Sequence, residues 1–169
     1  MKQKRYSTNS FLDAGIKRWM NQTKEFARKN RYVLTIAGRR RYLDDIHSTD
    51  SSKRAQAERQ AVNTIIQGSA ADLMKLAMLK MSCRIIDWKK EICSYEHAGS
   101  VTGTAPKLVL QIHDELLFEV AANQNDVNLL KDTGVRCCAD ECVRDLKLKI
   151  PLKLKFNVGI SWGENMKEL

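Results

Sequence analysis

The chain has 169 residues, 43% of them hydrophobic, enough to bury a core as one domain or as part of a larger one. No run of about 18 apolar residues occurs, which argues against a membrane-spanning helix, and the opening MKQKRYSTNS has no apolar stretch behind its charges, unlike a secretory leader. The net charge of +9 is one-sided: residues 1–59 hold 15 of the 29 Lys and Arg but only 6 of the 20 Asp and Glu, so the first third carries the whole excess. Such a field suits a polyanion, nucleic acid first, although a merely soluble basic surface has the same composition.

Residues 1–10 lack periodicity and are expected to form a mobile arm, leaving 11–169 as the folded part. From Phe11 to Lys29, Ile16, Trp19, Met20, Thr23, Phe26 and Ala27 share one face at helical spacing, which predicts an amphipathic helix. Tyr32 to Ile36 then reads as a strand that turns at Ala37-Gly38 and returns through Arg39 to Leu43. With Arg39, Arg40 and Arg41 at its tip, this hairpin would present at least two guanidinium groups outward, and their planar forked donors suit phosphate oxygens.

Residues 44–52 (DDIHSTDSS) read as a polar loop, followed by a helix from Lys53 to Ile66. Ala57, Ala61, Val62 and Ile65 would form its buried face, while Arg59, Asn63 and Gln67 recur every four residues along another. One guanidinium and two amides so spaced can donate to phosphates and to the minor-groove acceptors that A·T and T·A pairs share; they can equally form an ordinary solvated face. Gly68 is expected to interrupt this helix, and Ser69-Ala70-Ala71-Asp72 to open a second one, running to about Trp88 as a core element in which Met74, Met78 and Met81 pack. Residues 90–106 read as an exposed connection with His97 on its surface.

Lys107 to Val120, KLVLQIHDELLFEV, alternates with period two on both sides of an acidic pair and predicts two strands joined at Asp114-Glu115. Glu is a poor residue for a tight hairpin turn, where positive φ is required. Adjacent carboxylates at such a place suit a divalent cation at a sheet edge, Mg²⁺ preferring carboxylate oxygens and substrate phosphates, and a solvated acidic turn is the alternative. Asn125 is expected to cap a further helix whose stripe runs through Leu130, Cys137, Cys138, Glu141, Cys142 and Leu146, with Gly134 as a weak point. Pro151 opens a final strand in which Leu152, Leu154, Phe156 and Val158 alternate with polar residues, and Trp162 beyond it is expected to pack. The five cysteines form no CxxC pair, which points to reduced thiols rather than a disulfide framework or a zinc site. Helices and hairpins in this order predict an α+β fold, a small antiparallel sheet backed by helices.

Four blocks in this order, TIAGRRRYL, AERQAVNTIIQGSAADLMKLAM, LVLQIHDELLFEV and VGISWGE, resemble the C-terminal part of the family A DNA polymerases, the last three in wording most similar to the eukaryotic theta and nu branch. The resemblance implies the C-terminal portion of the palm and the base of the fingers over residues 11–169, part of a right-hand polymerase fold. It implies DNA-directed DNA synthesis in repair or replication. Primer–template DNA and deoxynucleoside triphosphates would be its partners, along with the remainder of the polymerase domain and an attached helicase if the chain is of the theta type. The location would be nuclear, with no membrane involved.

By the same resemblance Asp114 would bind the catalytic Mg²⁺ ions, Glu115 would be the neighbouring, less essential acid, and His113 would approach the primer end. Arg59, Asn63 and Gln67 match positions that contact template and primer, and Arg39, Arg40 and Arg41 match a basic segment near the duplex backbone. Two ions serve phosphoryl transfer in such enzymes, and one carboxylate cannot hold both. The family's second metal-binding Asp comes from an upstream Asp-Tyr-Ser strand absent from these residues, as is its nucleotide-binding fingers helix, so the 169 residues alone are expected to be inactive. A non-catalytic DNA-binding remnant stays open, as does a metal-dependent nuclease if Asp44-Asp45 supplied further carboxylates.

Overall fold

The structure is a computed structural model that describes residues 10–97, 104–163 and 166–169. The arm expected at 1–10 lies outside these residues except for Ser10, as do residues 98–103 of the expected connection and the His97 side chain. The chain divides into two compact units, Met1–Asp72 and Leu73–Leu169.

In the first unit, helix α1 (Ser10–Asn30) leads into an antiparallel hairpin of β1 (Tyr32–Leu34) and β2 (Arg40–Tyr42), a single 3₁₀ turn (Asp44–His47) and helix α2 (Ser51–Asn63). Arg31 adopts φ 63 and donates its N–H to Ala27 O at 2.8 Å, a left-handed helix end that turns the chain sharply into β1. The pairs Tyr32–Tyr42, Val33–Arg41 and Leu34–Arg40 set the register. Ala27, Val33, Leu43, Ile46, Ala57 and Ala61 form the core, with Ile65 against it.

Three expectations for this unit change. The stripe on α1 is buried only at Thr23 and Ala27 and half-buried at Trp19 and Met20, while Ile16 and Phe26 are exposed. The segment 44–52 is not a solvated loop: Ile46 is 1% exposed, and Asp50 caps α2 by accepting from the backbone N–H of Ser52 (2.8 Å) and Lys53 (3.5 Å), so the helix starts at Ser51 rather than Lys53. Gly68 does not break the helix. Thr64–Gly68 forms a π turn that runs directly into α3 (Ser69–His97), and Ser69 keeps helical φ and ψ of −70° and −36°. The glycine is there for space, since a Cβ on it would stand 2.7 Å from Thr35 Cγ2.

The second unit takes most of α3, which extends beyond Trp88 to His97, through part of the stretch expected to be a connection. Met81 and Ile85 are buried on it and Met74 and Met78 half-buried, as expected for packing side chains. A hairpin of β3 (Lys107–Ile112) and β4 (Glu115–Glu119) comes next. Then come helix α4 (Gln124–Gly134), a π turn (Val135–Asp140), the short helix α5 (Glu141–Asp145) and a two-residue ladder between β5 (Asn157–Val158) and β6 (Lys167–Glu168). The cap of α4 is Asn123, not Asn125: Asn123 Oδ1 accepts from Asp126 N at 2.8 Å and its Nδ2 donates to Asp126 Oδ2 at 2.7 Å. At Gly134 a Cβ would lie 3.1 Å from Phe156 Cε1, so the glycine admits that ring. The strand expected from Pro151 shrinks to Asn157–Val158, because 151–156 find no ladder partner among the described residues. Trp162 is exposed rather than packed.

The fold is α+β as expected, with small antiparallel sheets among helices. Among the described residues the strands form three two-stranded sheets rather than one.

Candidate nucleic-acid interface and acidic turn

In the first unit, Arg59 and Asn63 lie on α2 and Gln67 in the π turn, and all three side chains are exposed. The π turn holds an extra residue relative to an α-helical one, so it rotates the helix beyond it by about 100° relative to α-helical continuation. Where Gln67 stands relative to Arg59 and Asn63 therefore depends on whether that turn is kept.

The arginines at the hairpin have three different situations. Arg39 is engaged internally: Nε and Nη2 both reach Asp72 Oδ1, at 3.0 and 2.9 Å, and Nη2 also donates to Gly68 O at 3.1 Å. Arg40 lies over the Tyr32 ring, its guanidinium carbon 4.9 Å from the centroid. The Arg41 side chain is exposed and makes no hydrogen bond or ion pair with the described residues. The hairpin tip is tied to the helix a second time, through Ile36 N–H donating to Ser69 Oγ at 2.8 Å. Asp72 thus answers to the hairpin rather than to a helix cap. Burial pushes its carboxyl up, but Thr35, the Arg39 guanidinium and the Ala37 backbone outweigh this and hold it below the ordinary carboxylate range. Its Oδ2 is buried with no hydrogen-bond partner. Sequence patterns do not reveal this clamp; its signal is a forked donor at 39 and an acid at 72, 33 residues apart, which no local pattern connects.

In the second unit the turn differs from expectation by one residue. Ile112 pairs with Glu115, so the two turn residues are His113 and Asp114, and Glu115 begins β4. His113 takes the positive φ, at 50°, which His tolerates better than most residues and which Glu would resist. Gln111 Nε2 donates to His113 O at 2.6 Å and so satisfies the turn's carbonyl. A register shift between Leu108 and Leu110 leaves Val109 without a partner, so the strict alternation read along β3 breaks there and Leu108 faces opposite to Leu110 and Ile112. Asp114 and Glu115 are both exposed, and neither makes an ion pair with the described residues. Asp44 and Asp45 sit in the 3₁₀ turn of the first unit, and the described residues contain no group of three His, Cys, Asp or Glu able to hold a metal ion. The hard, unpaired oxygens of Asp114 fit a share in a Mg²⁺ site; they do not make a complete one. No described helix is long and apolar enough to cross a membrane.

The sequence profile of DNA polymerase family A matches residues 4–164. DNA polymerase theta of Drosophila melanogaster is 41% identical over 152 residues, which cover 89% of this chain and 7% of that protein. DNA polymerase I of Caldicellulosiruptor bescii is 38% identical over 149 residues, covering 88% of this chain and 15% of that protein. Among solved structures, the POL domain of Pol1 from M. smegmatis, in complex with DNA primer–template and dNTP, superposes with a TM-score of 0.63 at 34% identity, over 83% of this chain and 21% of that one. The chain thus spans a small part of the relatives it matches. With the profile matching nearly its whole length, the chain belongs to DNA polymerase family A.

Proposed function

We propose that residues 11–169 are the C-terminal palm and fingers-base segment of a DNA-directed DNA polymerase that transfers nucleotides to a primer 3′-hydroxyl on a template. Primer–template DNA and deoxynucleoside triphosphates are its substrates, a reading supported by the M. smegmatis polymerase domain, which was solved with both. The observation that carries the reading is the His113-Asp114 turn: in a chain that matches this family, it leaves a carboxylate exposed and unpaired, on a backbone whose positive φ sits at the neighbouring His113.

Asp114 would hold Mg²⁺, with the remaining ligands coming from the rest of the polymerase domain, and Glu115 would be the adjacent, less essential acid. The bound ions supply charge neutralisation on phosphoryl oxygens and activation of the 3′-hydroxyl. His113, one residue before that carboxylate, faces the primer end. Arg59 neutralises backbone phosphate, Asn63 and Gln67 donate to minor-groove acceptors shared by both orientations of A·T pairs, and Arg40 and Arg41 lie near the duplex backbone. Likeness to the theta type supports a nuclear role in DNA repair or replication, and an attached helicase belongs to that same reading.

The test is primer extension in the full polypeptide. Asp114→Asn should abolish extension and leave duplex binding intact, since it removes a metal-binding oxygen and no positive charge. Extension at the wild-type rate by this variant would refute the assignment.

A further inference from the structure

The arginine at the start of the basic run is spoken for. Its guanidinium is shared between Asp72 Oδ1 and Gly68 O, and although that side chain is 50% exposed, the Asp72 side chain it pairs with is 7% exposed. A charge already paired with a nearly buried carboxylate has little left to offer a phosphate, and breaking the pair would leave the nearly buried Asp72 without its opposite charge.

What it holds is the end of the π turn. A π turn has no intrinsic advantage over α-helical continuation, and Thr64 Oγ1 inside this one is buried without a hydrogen-bond partner. Its persistence therefore rests on contacts from outside the helix, and the hairpin tip supplies three of them: Arg39 on Gly68 O, Ile36 N–H on Ser69 Oγ, and the Thr35 methyl against Gly68. Gln67 immediately precedes the carbonyl that Arg39 grips. If the turn relaxed to α geometry, the rotation that its extra residue adds would be lost and Gln67 would turn about the helix axis relative to Arg59 and Asn63.

We propose that Arg39 is a positioning residue rather than a phosphate contact: with Asp72 it locks the π turn Thr64–Gly68 and so sets where Gln67 meets the primer–template duplex. This rests on the reading of Arg59, Asn63 and Gln67 as the duplex-facing stripe.

The experiment titrates a fluorescein-labelled primer–template duplex into the full polypeptide at several salt concentrations, without nucleotide. Arg39→Gln should weaken binding about two- to tenfold, the loss expected of one misplaced hydrogen bond, and leave the salt slope unchanged. Arg39→Lys keeps the charge but loses the fork, and should be no better than Arg39→Gln. Asp72→Asn should weaken binding by a similar factor; an arginine restrained from phosphate by that carboxylate would instead bind more tightly on its release. Arg39→Gln combined with Gln67→Ala should be no weaker than the worse single variant. A salt slope lowered by about 0.9, full recovery with Arg39→Lys, or losses that multiply in the double variant would each overturn the proposal. An unchanged affinity for Gln67→Ala alone would remove the stripe reading and this proposal with it, whereas a weakened Gln67→Ala beside an additive Arg39→Gln would sink the positioning role only. Should Arg39→Gln melt at the assay temperature, Arg39→Lys and Asp72→Asn decide between the same outcomes.

Discussion

The β1–β2 hairpin is fastened at its tip: Arg39 reaches Asp72 and Gly68, Ile36 N–H reaches Ser69, and a glycine at 68 lets the Thr35 methyl come close. The β3–β4 hairpin ends in two residues whose side chains are exposed and unpaired among the described residues, held from within its own strand by Gln111 on the His113 carbonyl. Both are two-stranded and antiparallel, and both carry the charged residues that sequence patterns single out. One engages the first of its three arginines internally, at Asp72 and Gly68; the other leaves its carboxylates unpaired among the described residues. Charge at a hairpin tip therefore says little about function until the partners of each group are known.

The sharpest way to break this comparison lies at the free tip. Asp114→Asn should lower extension by at least about a hundredfold, as losses of transition-state charge stabilisation do, with no change in melting temperature, because the carboxylate has no partner among the described residues. A destabilised variant would mean that the tip is held after all.

At the fastened tip a smaller, purely structural effect is expected. Gly68→Ala places a Cβ 2.7 Å from Thr35 Cγ2 and should cost about 1–3 kcal/mol by overpacking. Thermal or urea unfolding measures it, and adding Thr35→Ser, which removes that methyl, should restore most of the loss.

The stripe beside the clamp sharpens the contrast between used and unused charge. Arg59→Ala should lower the slope of log affinity against log salt by about 0.9, whereas Asn63→Ala should cost about 0.5–1.5 kcal/mol of duplex binding without moving the slope, since a neutral amide releases no counterion. Equal slopes for the two variants would show that Arg59 meets no phosphate.

The smallest effect is on the acid side of the stability curve. The Asp72 carboxyl is held below its ordinary value of 3.8, so the unfolded chain binds that proton more readily. The stabilisation is complete above the ordinary carboxyl range and fades as pH falls through the lowered folded value. Asp72→Asn should therefore lose stability at neutral pH and flatten the acid limb of an unfolding titration. An acid limb identical to that of the parent would assign it to other carboxyls.

Much of the fold is legible in the residues. Helical periodicity marks α1 and α2, a β-rich run with a glycine turn marks the first hairpin and alternation the second, and the four blocks point to the family that the profile match establishes. The departures share a physical origin. Gly68 reads as a breaker because local propensity counts entropy alone, while its role is to leave room for Thr35 across the unit. Alternation places the turn one residue late, at the acidic pair, because it carries no account of φ, and His113 is the residue better able to take a positive one. Asn125 and Asn123 are equal as capping letters, and only Asp126 at the third helical position chooses between them. The final strand falls short because alternation describes a surface, and a ladder also needs a partner. At the candidate site, the exposure of Asp114 and of the Arg59, Asn63 and Gln67 side chains agrees with the pattern, whereas the engagement of Arg39 depends on an acid far along the chain.

The thiols of the second unit have a chemical consequence of their own. Cys137 and Cys142 are buried, and burial pushes the Cys138 thiol up to about 12, so at neutral pH all three persist as protonated, unreactive groups. Cys83, exposed on α3, has no such shelter. An oxidant or alkylating agent meeting the folded chain would reach Cys83 before the buried Cys137 and Cys142. Modification of those two would then be a record of how often the π turn Val135–Asp140 and its surroundings come open.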